Sequence, residues 1–243
     1  GDGKLVLNHT GTAYALSADI SGDGRVRVEN GTTTLSGTNT YTGGTVISGG
    51  TLIGNSGGSF GTGAIVNNAA LVVNGGGTLS NGISGSGSFE KAGSGTLTLS
   101  GANTYAGGTT ISGGTLVATT TSLAGDVANY GTLVFDQNTD GTFAGDISGT
   151  GNLVKDGTGI VSLTGTLTYR GTTTVRAGKL IGNTSTLGGS VVNEGRLEFD
   201  QAFNGTYSSV ISGSGSVLKT GAGVLTMTGA NSYTGGTTIA AGT

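Results

Sequence analysis

The chain has 243 residues, 53 of them glycine, and contains no proline, cysteine or tryptophan. Only 9% of the residues are charged and the formal net charge is −3, which gives no electrostatic support for binding nucleic acid. The absence of cysteine excludes disulfides, thiolate catalysis and cysteine-based zinc sites.

Short apolar runs rich in Val, Ile and Leu recur along the chain and alternate with Thr, Ser and Asn. This alternation is typical of strands, and no apolar stripe has the 3.6-residue period of a helix. Glycine-rich and asparagine-containing pairs separate the runs and favour turns. In chain order, the sequence predicts strands at 5–7, 25–28, 96–99, 109–111, 115–117, 133–135, 161–163, 196–199 and 224–227.

One phrase occurs four times along the chain. GANTYAGGTTISGGTL occupies 101–116, and variants of it occupy 37–52, 165–180 and 229–243. A fixed period of this kind indicates a solenoid, in which each repeat packs on its neighbours. The step of 64 residues relates the tyrosines Tyr41, Tyr105, Tyr169 and Tyr233, and also the lysines Lys91, Lys155 and Lys219.

The repeat predicts an all-β, right-handed parallel β-helix with about three coils per 64-residue repeat, or about 21 residues a coil. We then expect residues 64 positions apart to lie directly over one another. The expected inner columns are Leu99, Leu163 and Met227 in one site, and Ile47, Ile111, Val175 and Ile239 in another. The recurring asparagines are expected to hold left-handed corners: Asn39, Asn103 and Asn231 in one set, Asn129 and Asn193 in a second.

The stretch 83–116 resembles the passenger-associated strand repeat of bacterial autotransporters. The resemblance implies a β-helical passenger region exposed on the surface of a Gram-negative bacterium. It also implies export through an outer-membrane barrel, with the barrel and the signal peptide lying outside this chain. We therefore expect 1–243 to be a single solenoid fragment of a larger passenger domain, with repeats at roughly 1–53, 54–117, 118–181 and 182–243.

Few residues offer chemistry. His9 is the single histidine and has no nucleophile motif near it, so we expect it to be an exposed polar residue. Glu198 and Asp200 should both face outward on one strand, and with Asp136 they are the only carboxylates considered for cleaving sugars. The stretch 136–141 begins like a calcium-binding loop but lacks the final glutamate. We assign no catalytic, cofactor-binding or metal-binding residue and no cofactor, and we expect that the protein is not an enzyme.

The predicted function is adhesion or self-association at the cell surface, leading to aggregation or biofilm. Its partners are a second copy of the chain or the glycans and proteins of a cell surface; nucleic acid is not among them, and contact with a membrane is expected only through the barrel outside this chain. Two alternatives stay open. The chain could be a non-binding stalk that aids secretion of another domain, or a β-helical enzyme acting on polysaccharide.

Overall fold

The computed structural model describes residues 3–243, which are strands and turns apart from one short 3-10 helix, Gly57–Phe60. The chain divides into two compact units, Gly1–Asp126 and Val127–Thr243, called the first and second units below. Every strand pair described is parallel and has about one coil between partners, so the predicted all-β parallel solenoid is confirmed. No helix in the described chain is long and apolar enough to cross a membrane.

The first unit contains fourteen strands, β1 to β14. Within this unit they form three parallel ladders, in the orders β1-β3-β5-β7-β10, β2-β4-β6-β8-β11-β13 and β9-β12-β14. The strands are β1 (Lys4–Asn8), β2 (Tyr14–Leu16), β3 (Arg25–Asn30), β4 (Thr32–Leu35), β5 (Thr45–Ile47), β6 (Thr51–Gly54), β7 (Ile65–Asn67), β8 (Ala70–Val73), β9 (Gly77–Leu79), β10 (Ile83–Ser84), β11 (Ser88–Lys91), β12 (Thr96–Leu99), β13 (Thr109–Ile111) and β14 (Thr115–Ala118).

The second unit contains fifteen strands, β15 to β29. Its ladders within the unit are β15-β18, β16-β19-β21-β23-β26, β17-β20-β22-β24-β27-β29 and β25-β28. The strands are β15 (Val127–Asn129), β16 (Thr132–Asp136), β17 (Gly141–Phe143), β18 (Ile147–Gly149), β19 (Asn152–Asp156), β20 (Ile160–Leu163), β21 (Thr173–Val175), β22 (Lys179–Gly182), β23 (Val191–Asn193), β24 (Arg196–Asp200), β25 (Gly205–Tyr207), β26 (Ile211–Ser212), β27 (Ser216–Thr220), β28 (Leu225–Met227) and β29 (Thr237–Ile239).

The core lies inside the coils and follows the alternation of each strand. In β12, Leu97 and Leu99 are buried while Thr96 is exposed, as a strand with one inward side requires. Aromatic rings from consecutive strands pack together inside the second unit, where the ring centroids of Phe199 on β24 and Tyr207 on β25 lie 5.2 Å apart. Apolar burial of this kind is the main favourable term for a fold that has few charges and no disulfide.

The expected columns of repeat-equivalent residues are wrong. Ile47 and Ile111 are both fully buried in the first unit, but β5 and β13 belong to different ladders. Val175 and Ile239 likewise lie in different ladders of the second unit. Leu163 and Met227, expected in one column with Leu99, also occupy different ladders. Each repeated tyrosine is likewise followed by a strand of a different ladder.

The number of residues in a coil explains this result. Ladder partners are 19 residues apart at Thr51 and Ala70, 20 at Val191 and Ile211, and 17 at the shortest step, from Lys179 to Arg196. Three such coils use about 57 to 60 residues, fewer than the 64 of the sequence period. The remaining residues continue the chain to the next ladder around the coil. Each repeat therefore starts in a different ladder from the one before it.

Corners are built by glycine and by side chains that bond to the coil above. Gly149 has φ +105°, and a Cβ there would lie 2.1 Å from the Asn129 carbonyl oxygen, so only glycine fits. Asp146 Oδ1 accepts a 2.6 Å hydrogen bond from the Thr166 amide one coil later. Such bonds satisfy corner amides that the ladders leave unpaired.

Candidate functional site

The tyrosine of the repeated phrase is hydrogen-bonded inside the coil. The Tyr41 and Thr45 hydroxyl oxygens lie 2.6 Å apart, and Tyr41 is 1% exposed. Burial raises the pKa of Tyr41 to about 12, and the Thr45 bond lowers it by less. The same tyrosine-to-threonine bond occurs in the pairs Tyr105–Thr109, Tyr169–Thr173 and Tyr233–Thr237. The first three pairs are buried and hold the coil together from inside, while the Tyr233–Thr237 pair is exposed.

The asparagine two residues before the tyrosine joins three successive coils. Asn103 Oδ1 accepts a 2.8 Å bond from the Ile83 amide, and its Nδ2 donates to the Ser122 carbonyl at 2.6 Å. Asn39 makes the same two bonds, with Ile20 and Ser59. No non-glycine residue in the described chain has a positive φ, so the expected left-handed asparagine corners are wrong. Asparagine occupies this position because its side chain bonds to the coils on both sides of it.

The third copy has Leu167 where the others have this asparagine. There the chain forms a direct parallel bridge between Ile147 and Leu167, and the Ile147 amide donates to the Thr166 carbonyl at 3.1 Å. Backbone pairing therefore satisfies the amide that an asparagine side chain satisfies in the other copies. The asparagine is a structural part of the coil.

A second set of asparagines is fully buried. Asn129 Nδ2 donates to the Asn152 carbonyl at 2.9 Å, and Asn129 Oδ1 accepts from the Gly131 amide at 3.1 Å. Asn193 Nδ2 donates to the Ser216 carbonyl in the same way. Because these amides are 0% exposed, they are closed to glycans and other ligands.

Three lysines of the 64-residue step are buried, which the sequence reasoning missed. Lys155 is 0% exposed, and its Nζ donates to the carbonyl oxygens of Asp156 at 2.6 Å, Gly157 at 2.7 Å and Ala177 at 3.3 Å. Lys219 Nζ repeats this with three carbonyls at 2.7 to 3.0 Å, and Lys91 does so with Ala92, Gly93 and Gly113. The available signal was a lysine at a fixed step in a chain with few charges.

The lysine sites are electrostatically costly despite these bonds. Burial lowers the pKa of Lys91 below its ordinary value. It also lowers the pKa of Lys155, although the carboxylates of Asp156 and Asp136 act in the opposite direction. An ammonium group has three donors and here finds three acceptors, so each lysine fastens a corner to the next coil.

The considered carboxylates Glu198 and Asp200 lie beside a groove of about 340 Å³ in the second unit. Glu198 is only 8% exposed, because its Oε2 lies 2.8 Å from Lys179 Nζ and its Oε1 accepts a 2.9 Å bond from Thr220. Asp200 is exposed. The expected outward direction is seen, but Glu198 is held in an ion pair.

The calcium-like stretch 136–141 uses its oxygens within the fold. Asn138 Oδ1 accepts a 3.0 Å bond from the Thr158 amide, and Asp140 Oδ1 accepts a 2.9 Å bond from the Ile160 amide. Asp136 is exposed and lies in register with Asp156 on the next strand. Within residues 3–243, no group of three or more His, Asp or Glu side chains could hold a metal ion.

His9 is half-buried and not exposed as expected. Its Nε2 lies 2.9 Å from Thr33 Oγ1, and its ring centroid lies 5.2 Å from that of Tyr14. No carboxylate takes part in these contacts, so they fix the ring at a corner and do not form a triad.

The outward sides of the ladders carry hydroxyl and β-branched side chains. In the first unit Ile53 and Val72 are outward neighbours in register, and both are half-buried. In the second unit Val134 and Val154 are outward neighbours, yet they are 8% and 5% exposed. Because adjacent strands are stacked, outward side chains of neighbouring coils lie side by side and partly cover one another.

The sequence comparisons agree with this architecture. The family described as passenger-associated-transport-repeat matches the chain four times, at residues 29–53, 89–118, 153–181 and 217–243. No curated protein sequence and no solved structure matches the chain. Each family match contains one whole copy of the repeated phrase together with the strand that precedes it.

Proposed function

Because the chain is built from passenger-associated-transport repeats, we propose that it is a cell-surface passenger region that acts in adhesion or self-association. Autotransporter passengers carrying this repeat are exported to the surface of Gram-negative bacteria, which gives the expected location. The chain would act by contact along its outer sides.

One observation carries this proposal: the side chains of the repeated phrase make their hydrogen bonds within the coils. Its tyrosine, asparagine and threonine bond within the coils, and the recurrent lysine bonds to corner carbonyls. The repeat therefore builds a scaffold, and recognition falls to the outward positions that differ between repeats. Partly exposed apolar neighbours such as Ile53 and Val72 suit a second, similar surface because contact would remove more of their apolar area from water.

The test coats beads with the purified chain and measures their clumping and their attachment to cells. We expect coated beads to clump and to attach to cultured host cells, while beads coated with a soluble protein of equal charge stay dispersed. Two matched outward substitutions, Val72→Glu in the first unit and Val192→Glu in the second, should locate the contact, because a glutamate repels its own copy in a symmetric interface. Beads that neither clump nor attach refute the proposal and leave the stalk role.

The second candidate is cleavage of polysaccharide, favoured by the groove beside Glu198 and Asp200. Glu198 is 8% exposed and both of its carboxylate oxygens are held, by Lys179 and by Thr220, so it has little freedom to reach a substrate in the groove. We expect no turnover of a polysaccharide panel by the purified chain. Turnover that Asp200→Ala abolishes, and that Asp136→Ala does not, would establish this activity instead.

A further inference from the structure

Three cationic side chains gather on one outer side of the first unit. Lys4 on β1 and Arg25 on β3 are register partners, so their strands lie about 4.8 Å apart. Arg27 is two residues further along β3 and therefore faces the same side as Arg25. The cluster holds three of the ten basic residues, in a chain whose net charge is −3.

These side chains line a cleft of about 270 Å³ whose fourth lining residue is Val46. Among residues 3–243, those that line this cleft include no carboxylate. Lys4 and Arg25 are exposed, and the side chain of Arg27 is 40% exposed. The cleft therefore presents positive charge to solvent over an apolar floor.

Arg27 is positioned from outside the cleft. Its Nε lies 2.8 Å from Glu29 Oε1, and Glu29 Oε2 accepts a 3.2 Å bond from Asn8 Nδ2. This contact is an ion pair without a hydrogen bond from Nε, and the terminal nitrogens of the guanidinium can still donate to an anion. A fixed guanidinium loses less freedom on binding a two-oxygen group such as sulfate or carboxylate.

We infer that this cleft binds the sulfate or carboxylate groups of an acidic polysaccharide. Neighbouring cations along and across the strands match a chain that carries several anionic groups, and the Val46 floor suits the apolar side of a sugar ring. Nucleic acid fits less well, because the cleft has no aromatic side chain for base stacking and the rest of the chain is acidic. The inference rests on the proposed adhesive role, to which it adds a ligand class.

The experiment titrates the purified chain with fluorescently labelled, heparin-derived sulfated hexasaccharide and, separately, with a polygalacturonate oligosaccharide of similar length. We expect saturable binding of one or both at a 1:1 ratio. Raising NaCl from about 50 to 200 mM should weaken it by about 20- to 40-fold, because about three cations are neutralised. Binding of the first alone assigns sulfate, and binding of the second assigns carboxylate.

Arg25→Gln should weaken binding about fivefold, and Lys4→Gln with Arg25→Gln should weaken it further. Arg170→Gln is the matched control, because it removes the same charge from an exposed position in the second unit. Arg25→Lys should lose less than Arg25→Gln, and all variants should keep the circular dichroism spectrum of the parent chain.

The inference is overturned if neither oligosaccharide binds, if Arg170→Gln weakens binding as much as Arg25→Gln, or if single-stranded DNA of equal charge binds more tightly than both sugars. Bead clumping measured on the same variants separates the two proposals. Clumping that persists without sugar binding refutes the cleft alone, and sugar binding without clumping or cell attachment refutes the adhesive role alone.

Discussion

At each of three corners, a buried lysine ammonium lies among backbone carbonyl oxygens. Around Lys155 the acceptors come from its own corner and from Ala177 on the following coil. Removing the ammonium would leave three carbonyls inside a corner that water cannot easily enter, and each buried unpaired group costs about 1–3 kcal/mol. The lysine therefore links its own corner to the following coil by hydrogen bonds, a role called the pin below, at the cost of burying a charge.

Lys155→Met tests this role. Methionine fills the space of the lysine stem but donates no hydrogen bond, so we expect a loss of about 3 kcal/mol in the free energy of unfolding. Thermal denaturation followed by circular dichroism measures the change. Lys4→Met, the same substitution at an exposed residue, should change stability by less than about 0.5 kcal/mol. Equal melting temperatures for Lys155→Met and the parent chain would contradict the pin.

At the scale of the elements, three of the repeated tyrosines, Tyr41, Tyr105 and Tyr169, each lie four residues before the start of a strand and are buried away from water. Tyr41 and Tyr169 are 1% and 2% exposed, and burial raises the pKa of each from 10.0 to about 12. A folded pKa above the unfolded one means that the stabilising effect is complete below pH 10. It is lost as the pH rises from 10 through 12, because the unfolded chain ionises first.

We therefore expect alkaline unfolding between about pH 10 and 12. Each of the two tyrosines contributes on the order of 3 kcal/mol to it, at 1.36 kcal/mol per pKa unit. The lowered pKa of Lys91 means that its burial destabilises the charged form, so this penalty decreases as the pH rises. It has disappeared by about pH 10.5, the ordinary lysine value, and does not oppose unfolding above it. Circular dichroism and tyrosinate absorbance, recorded together against pH, should change in one step.

The double variant Tyr41→Phe with Tyr169→Phe should unfold at a higher pH, because it removes both ionisable groups. Tyr130→Phe, at a tyrosine that is 57% exposed, is the control and should leave the transition in place. Gradual tyrosine ionisation from pH 10 with an unchanged circular dichroism spectrum would show that these tyrosines are not closed off.

At the scale of the whole molecule, strand contacts run to the next coil and no further. Ladder partners are 17 to 22 residues apart throughout the described chain. Structures of this kind behave as linear arrays, whose stability is a sum of terms for each coil and for each contact between neighbours. Damage to one coil should then spread only over its neighbours.

Hydrogen exchange measured by mass spectrometry can test this locality. Lys155→Met should reduce the protection of amides in β16 to β22 of the second unit, while β3 to β6 in the first unit keep theirs. Lys91→Met should give the reverse pattern, with the loss in the first unit. A uniform loss of protection over residues 3–243 in either variant would instead show one cooperative unit.

Much of the fold follows from the sequence. The alternation of Leu97 and Leu99 with threonine predicts the inward side of β12, and the predicted strand at 109–111 matches β13. The parallel solenoid also follows from residue pattern and spacing, and the repeated phrase resembles that of one family. The asparagines were expected to be structural, but the left-handed corners expected of them are wrong. The roles of Lys155 and Asn103 do not, because their partners are backbone atoms about 20 residues away that no pattern marks.

The sequence alone determined that the chain repeats every 64 residues, that its segments are strands, and that its repeats match the passenger-associated-transport-repeat family. Only the tertiary structure decided which residues stack, because the length of a coil is set by its corners and its packed interior. A coil of about 19 or 20 residues does not divide 64 into whole turns, so Ile111 lies over Lys91 and not over Ile47. The same coil length brings Lys4 beside Arg25 and thereby creates the basic cleft.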